Sequence, residues 1–579
     1  MFRQKDVLDL ASKIMAHAVK ELFPSAKLAN SGINREMFYY DFSIERPFSE
    51  IDIKSIDQRI KRILKRCESL EIVPVSKEEA ISVMKDRKEP YKVKLIEEQE
   101  NDSAFILKHG DFVDIIDQKI LMKINQIKAV KVLSSSAAYW KGDMKNESLQ
   151  RIYGIAFQSE DEMQKYLEKI ESMKSRDHRK LGRELELFCF MDSAPGMPYW
   201  LPKGWILYNN LIDFWRKEHK KLGYLEFSAP QVNNSQLWKQ SGHWEHYKKD
   251  MYILHDGDGN EQALKPMSCP NAIMIYKMKQ RSYKELPLRL SDVDVIHRNE
   301  KSGQLNGLLR TRMFRQDDSH NFISESQIGS EIKNILKIAD MFYQAFGLEY
   351  VASLSTRPDD FMGDIEIWDK AEKELKEVLD SLYGAENYPI KEKDGAFYGP
   401  KIDIQMKDCL GREWQMGTVQ LDFQLPIKFD LEFVNSEGKK ERPIIIHRVI
   451  LGSLERFIGL ILEHFAGELP LWIAPVQVRI IPISESCKEY ANKVNEKLEE
   501  HEIRSEVDVR NEKLGYKIYD TRLQKIPYTI VVGNQEQLDE TISVRRLHGE
   551  KKSEKMSTEE FINLLNDKIS QKKWDIMFH

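Results

Sequence analysis

The chain has 579 residues, with 88 Lys and Arg against 93 Asp and Glu, a net charge of -5 and 41% hydrophobic content, which is room for several domains with cores of their own. No apolar run approaches the roughly 20 residues needed to cross a bilayer, so a membrane span is excluded, and five scattered cysteines suggest a reducing cytoplasm rather than a disulfide framework. The near balance of charge gives no global sign of a nucleic-acid partner, which needs only a local basic surface.

Residues 6–22 read as a charged helix without the apolar region of a secretory signal. From there to residue 158 short helices mix with strand-like runs at 37–40, 91–95 and 129–133, which predicts an α+β domain over 1–158. Residues 159–183 are highly charged, with Tyr166, Leu167, Ile170 and Met173 at helical spacing, and predict a solvated linker helix. The long segment 184–469 alternates strands with turns, including a hairpin over 255–260, and closes with an apolar run that becomes an amphipathic helix over 444–465. Across 470–579 a strand at 476–483, a helix at 485–500, a further strand and helix, and a strand at 528–532 predict an α/β domain with a parallel-rich sheet. Lys555-Met556-Ser557 has the look of a nucleotide-binding signature, but Ser557 three residues before Glu560 reads better as a capping box opening the last helix.

Two segments carry chemistry. His297-Arg298-Asn299-Glu300, followed by Arg310-Thr311-Arg312-Met313-Phe314-Arg315-Gln316-Asp317-Asp318-Ser319-His320, spaces arginines along a predicted strand-loop-strand hairpin, and a planar guanidinium suits a phosphate bidentately. Gly452-Ser453-Leu454-Glu455-Arg456 sets Arg456 on an apolar helix whose small leading residues let a ligand approach its first turn. Fixed cations of this kind, joined by donors and acceptors for a second substrate, are what an ATP-dependent ligation requires.

These pieces resemble the second and third signature motifs of class II aminoacyl-tRNA synthetases, and Pro230 with its upstream helix resembles the first. Ala263-Leu264-Lys265-Pro266-Met267-Ser268-Cys269-Pro270, Leu286-Pro287-Leu288-Arg289, Phe397-Tyr398-Gly399-Pro400-Lys401 and Trp414-Gln415-Met416-Gly417-Thr418-Val419-Gln420-Leu421-Asp422-Phe423 narrow the resemblance to threonyl-tRNA synthetases, over nearly the whole chain. The resemblance implies an α+β multidomain protein: an N-terminal α+β editing-type domain, a class II catalytic domain built on an antiparallel sheet, and a C-terminal α/β anticodon-binding domain. It implies a cytoplasmic homodimer, paired through the first motif, that activates threonine with ATP and Mg2+ to threonyl-adenylate and transfers it to the 3′ end of tRNA(Thr).

It also implies roles for residues. Arg298 would bind the α-phosphate, Arg456 would grip the γ-phosphate of a bent ATP, Glu300 would sit by the adenine, and Arg310 would contact phosphates and the substrate carboxylate. Met267, Gln316, Tyr398, Lys401, Gln415, Thr418, Gln420 and Ser453 would line the same pocket. Cys269, His320 and His447 match the three ligands of one Zn2+ per subunit, a set that spacing alone does not reveal, and a fourth, open position would take threonine. Asp318 would receive the hydrogen bond of the threonine hydroxyl. Asn511, Glu536 and Arg545 match anticodon contacts, and Lys525 stands where arginine is usual. Taken singly, Cys269 reads equally as a small core hydrophobe and His447 as a satisfied core histidine. His243-Trp244-Glu245-His246 offers ligand types in a segment that reads as structural, and 256–260 reads as a turn.

The N-terminal domain departs from the family pattern. Lys13 replaces the first histidine of an HxxxH pair and leaves only His17, while Ile116 and Ile120 replace a cysteine and histidine four apart. Isoleucine neither ligates a metal nor moves a proton. Serine lacks only one methyl of threonine, worth about 10- to 200-fold in discrimination, so the expected consequence is loss or weakening of hydrolytic editing of Ser-tRNA(Thr). A second expected departure is a short form: the resemblance places the start of the sequence almost directly at this domain, where the family commonly has a small ubiquitin-like domain first. Two other readings are an RNA-binding paralogue without chemistry, disfavoured by intact Arg298, Arg456, Cys269, His320 and His447, and a serine- or proline-specific relative, disfavoured by the zinc set and Asp318.

Overall fold

A computed structural model describes residues 4–34, 36–66, 70–116, 124–143, 145–385, 387–408, 411–547 and 553–572; Ile120, one of the two replacing isoleucines, lies outside them. The chain forms two compact units, Met1–Ser172 and Met173–His579. Among the described residues no helix is long and apolar enough to cross a membrane.

In the first unit, helix Gln4–Leu22 buries Val7, Leu10, Ala11, Ile14 and Ala18. These positions recur every three or four residues, the stripe that docks a helix on a sheet. The sheet is antiparallel, in the order Lys27–Asn34, Met37–Ser43, Ser148–Phe157, Ala129–Tyr139, with Phe38, Tyr40 and Phe42 inside. A smaller antiparallel sheet of Leu70–Ser76, Ser103–His109 and Phe112–Ile116 accompanies helices Lys77–Asp86 and Pro90–Glu97. The last helix corrects the sequence reading of a strand over 91–95. Apolar residues and lysines alternate there with period two, yet Tyr91, Lys92 and Ile96 are the buried ones, one face of a helix, and Pro90 sits in its first turn. A lysine turned inward broke the binary pattern.

In the second unit a nine-stranded sheet runs Leu225–Glu226, Leu288–Asp292, Met313–Ile323, Ile444–Ser453, Glu413–Asp422, Lys401–Lys407, Tyr350–Ser355, Ile390–Lys391, with Val295–His297 paired to Met313–Ile323 off this path. The central pairs are antiparallel and only the two edge pairs are parallel, as the fold class requires. Helices Pro202–Lys221, Ile328–Gln344 and Leu454–His464 bury Leu207, Trp215, Ile338, Phe342, Phe457 and Ile461 in one cluster with Ile450 and Leu451 of the sheet. Helix Pro202–Lys221 packs so closely that a Cβ on Gly204 would stand 1.8 Å from the Leu187 carbonyl oxygen.

The unit ends in a mixed sheet ordered Ser505–Val507, Val478–Pro482, Tyr528–Val532, Thr541–Arg546, Glu554–Ser557, parallel across the first three strands and antiparallel across the last three. Helix Thr558–Gln571 opens on a capping box of Ser557 and Glu560. The segment that follows helix Leu454–His464 is tied to this part of the chain by Lys525 Nζ to Glu468 Oε1 at 2.8 Å and Arg504 Nη2 to the Trp472 carbonyl at 2.9 Å.

Candidate active site

The arginines meet at one end of the central strands. Strands Val295–His297 and Met313–Ile323 form the predicted hairpin, and its connecting loop carries Glu300 and Arg310. Arg310 Nε and Nη2 donate to Glu300 Oε2 at 3.1 and 2.8 Å, while Arg298 Nε donates to the Pro266 carbonyl at 3.3 Å, beside Met267. Arg456 lies in the first turn of helix Leu454–His464, where its N–H donates to the N-cap Ser453 Oγ at 3.1 Å. Its side chain donates to the carbonyls of Leu309 at 3.0 Å and Gln415 at 3.4 Å. Burial lowers the pKa of the Arg456 guanidinium, and the charges of Arg310 and Arg298 lower it further. Converging guanidiniums that repel one another at a helix N-terminus form a site for a polyanion.

A carboxylate that the sequence reading overlooked organises the adjoining strands. Asp403 is fully buried and receives Lys401 Nζ at 2.9 Å, Gln415 Nε2 at 2.6 Å, Thr418 Oγ1 at 3.1 Å and Ser355 Oγ at 2.9 Å. Lys401, Gln415 and Thr418 are thereby held by one charge. Gln420 Nε2 donates to the Gly399 carbonyl at 3.0 Å, and Gln316 pairs with Ser453 across the sheet. The one signal in the sequence was Lys401 and Asp403 two apart, on one face of a strand.

Next to them, ligand atoms of Cys269, His320 and His447 all lie within 4.8 Å of one another. His320 and His447 are cross-strand partners, and Cys269 begins helix Cys269–Lys277. The donor set fits Zn2+ on three counts. One sulfur and two imidazoles suit that ion. The buried His320 Nδ1 has no hydrogen-bond partner among the described residues. His447 Nε2 lies 2.8 Å from Asp422 Oδ2, and since a carboxylate only accepts, that nitrogen carries the proton and Nδ1 presents the lone pair. Burial pushes the Cys269 thiol well above its usual range, helped by Asp318 and Asp422, and burial drives His320 well below its own. A metal would offset the cost of the thiolate by binding it, and would take the neutral imidazole that burial already favours. Asp318 and Asp292 share a neighbourhood with His320, and burial raises their carboxyls to about 6 and about 8. Tyr398 stacks edge-on to His447 at 5.5 Å between ring centroids. His243 places Nε2 4.0 Å from Cys269 Sγ and Nδ1 2.7 Å from Ser241 Oγ.

Residues 252–465 match the tRNA synthetase class II core domain of the G, H, P, S and T enzymes, and residues 477–568 match an anticodon binding domain. The chain is 50% identical to the threonine–tRNA ligase of Caldanaerobacter subterraneus subsp. tengcongensis, over 92% of this chain and 83% of that protein. It is 48% identical to the threonine–tRNA ligase of Clostridium tetani, over 98% of this chain and 89% of that one.

The chain belongs to the threonine–tRNA ligases.

It is accordingly an ATP-dependent, AMP- and diphosphate-forming ligase of threonine and tRNA. Among solved structures, the RNA binding domain of threonyl-tRNA synthetase from Cryptosporidium parvum aligns with a TM-score of 0.66 at 40% identity, covering 68% of this chain and 98% of that one. A putative threonyl-tRNA synthetase from Aeropyrum pernix aligns with a TM-score of 0.60 at 27% identity, covering 69% and 97%.

The other residues singled out in the ligase sequence fall into three regions. Asn511 is exposed before helix Leu514–Leu523; Glu536 Oε2 accepts from the Gly533 N–H at 2.9 Å and its Oε1 from Ser543 Oγ at 2.9 Å; Arg545 sits on strand Thr541–Arg546 with a buried Nε lacking a partner among the described residues. Lys525 stands apart, tied to Glu468 at the joint with the catalytic sheet. In the first unit Lys13 Nζ reaches Asp114 Oδ2 at 3.2 Å and Ser31 Oγ at 2.9 Å, and His17 Nδ1 lies 3.0 Å from His109 Nδ1, stacked on Phe112.

Proposed function

We propose that this ligase, a cytoplasmic homodimer, uses Arg298, Arg310 and Arg456 to hold the triphosphate of Mg2+-ATP, with Glu300 by the adenine. Met267, Gln316, Tyr398, Lys401, Gln415, Thr418, Gln420 and Ser453 line the adjoining pocket in this reading. Cys269, His320 and His447 hold one Zn2+, which would supply an electrophilic position for the amino group and hydroxyl of threonine. Asp318 accepts the hydroxyl proton's hydrogen bond, which valine cannot donate. Asn511, Glu536 and Arg545 read the anticodon of tRNA(Thr), while Lys525, given its pairing to Glu468, supports them from the domain joint. The observation that carries this reading is the gathering of one thiol and two imidazoles within 4.8 Å, with the two imidazoles on the strands that also lead to the motif arginines. The domains divide as 1–158, a linker at 159–183, 184–469 and 470–579.

We also infer that editing of Ser-tRNA(Thr) is lost or weak. What supports it is the pairing of Lys13 with Asp114 and Ser31, which commits the replaced position to an ion pair, and the buried, apolar Ile116. The experiment is charging of tRNA(Thr) by zinc-replete protein, with threonine and serine side by side. Efficient Thr-tRNA formation with accumulating Ser-tRNA is expected. Hydrolysis of preformed Ser-tRNA(Thr) at a rate that prevents its accumulation would sink the editing half, and charging with neither would sink the whole.

A further inference from the structure

The strands Met313–Ile323 and Ile444–Ser453 pair regularly until Asp318 meets Val449, and the next pair is Gln316 with Ser453. Ile450, Leu451 and Gly452 therefore stand opposite the single residue Asp317. A bulge of this size leaves N–H groups that the ladder cannot satisfy. Asp317 is fully buried, on the strand face opposite Asp318. Its Oδ1 accepts from the N–H of Ile450 at 3.2 Å, Leu451 at 3.0 Å and Gly452 at 3.1 Å, and its Oδ2 from Ile450 at 3.0 Å and Arg448 Nη1 at 3.4 Å. Burial raises its carboxyl to about 7, but only donors face either oxygen, and Arg448 and the bulge N–H groups pull toward the carboxylate.

The bulge is also held from its other sides. Tyr343 OH donates to the Ile450 carbonyl at 2.8 Å. Gly452 adopts φ +77°, and a Cβ there would stand 2.6 Å from the Met416 carbonyl oxygen. The fully buried Arg448 is backed by His219, whose Nε2 is 2.5 Å from its Nη2. The residue that follows, Ser453, is the N-cap of the helix bearing Arg456. The turn of the chain at 450–452 thus decides where Arg456 points.

We infer that Asp317 is a positioning residue for threonine activation, acting through Arg456 by bracing the 450–452 bulge. It touches neither substrate. The inference rests on the proposed reading of Arg456 as a phosphate ligand. Without the carboxylate, the bulge N–H groups lose their acceptor, the bulge relaxes, and the first turn of helix Leu454–His464 drifts from the triphosphate while the threonine pocket keeps its shape.

The test is ATP–diphosphate exchange by the full-length, zinc-replete protein carrying Asp317→Asn, Arg456→Ala, or both, with thermal melting and threonine KM measured on each. Asparagine keeps the shape but turns an amide donor toward backbone donors. Expected for Asp317→Asn is a rise in ATP KM and a fall in kcat of about 10-fold or more each, with threonine KM within about twofold. The double variant should be no worse than Arg456→Ala by more than about threefold, because both act on one contact. Multiplying effects, a parallel change in threonine KM, or unchanged kinetics would overturn the inference. If Arg456→Ala itself is silent, the phosphate-ligand reading fails and the inference falls with it; if Arg456→Ala is damaging and Asp317→Asn is not, only the inference falls. Gly452→Ala disturbs the same bulge from its other side and should reproduce the ATP-specific pattern. It decides the matter if Asp317→Asn does not fold, and failure of both to fold also overturns the inference, since such a residue serves the fold at large.

Discussion

Asp422 illustrates how an acid to which the sequence reading gave no role can matter through the groups that it holds. Its Oδ2 meets His447 Nε2 at 2.8 Å, and its Oδ1 accepts from the N–H groups of Gln424 and Leu425 at 2.7 and 2.9 Å. Those two backbone donors hold the carboxylate still, and the carboxylate holds the imidazole in one tautomer. With Zn2+ at the proposed site, Asp422→Ala is expected to weaken its binding by about 10- to 100-fold, the usual cost of losing such a partner, measured by competition against a chromogenic chelator. Unaltered affinity would mean that His447 is oriented by the sheet alone. Glu455 is a similar case, beside the motif arginine: it accepts from the Arg315 N–H at 2.9 Å and Tyr208 OH at 2.8 Å, tying the helix to the hairpin strand. Burial raises its carboxyl to about 7.

At the scale of elements, caps and close approaches carry the argument. Ser557→Ala removes the capping box of helix Thr558–Gln571 and should cost about 1 kcal/mol, seen as a small fall in the melting of the C-terminal domain. Gly204→Ala is expected to do far more harm, because its Cβ would enter the Leu187 carbonyl at 1.8 Å and the helix must move off the sheet that it covers. Overpacking of this kind costs about 1–3 kcal/mol or more; soluble protein with wild-type melting would show that the joint is slack. The helix Pro90–Glu97 teaches the converse lesson. Its inward Lys92 is satisfied by Asp114 Oδ1 at 2.9 Å and by the Tyr40 ring, whose centroid lies 4.8 Å from its Nζ, partners that lie elsewhere in the chain.

For the whole molecule, two compact units allow stability and activation to be separated. Asp114 is buried among Lys13, Lys92 and Tyr40. Burial would raise its carboxyl, but the two ammonium groups and the Tyr40 hydroxyl outweigh burial and hold it at about 2, whereas Lys92 is brought down to about 8 chiefly by burial. The partners thus tell different stories, a gain for the acid and a cost for the base. The acid has two cations against one, so its direction decides what removal does. Asp114→Asn leaves buried charges unpaired and should destabilise the first unit by about 3–5 kcal/mol, while ATP–diphosphate exchange stays at the wild-type rate, since the proposed activation residues all lie in the second unit. Because the folded pKa lies below the unfolded value of 3.8, the contribution is present above that pH and is lost as pH falls toward about 2. The stability gap between wild type and variant, measured by denaturant melts, should therefore narrow between pH 4 and 2. A gap indifferent to pH would show that the pair contributes shape rather than charge.

By itself the sequence determined the family, the ligase activity, the antiparallel class II core, and those elements whose apolar period is strong: the helix Gln4–Leu22, the motif hairpin, the helix bearing Arg456 and the final capped helix. The family, the activity and the core came through the resemblance of the quoted motifs, and the elements through local signals, since caps, turns and periodicity act within a few residues. Tertiary structure alone decided which charges are buried and what they face. Asp403 and Lys92 look like ordinary polar residues in the chain, and Asp317 and Asp422 stand in the quoted motifs with no sign of what they would hold; only the packing of distant segments turns them inward toward partners. The same holds for Cys269, His320 and His447, far apart in sequence and gathered by sheet register and one helix start. Burial makes such groups costly unless satisfied, and the satisfaction is non-local, which is why no spacing rule could have announced it.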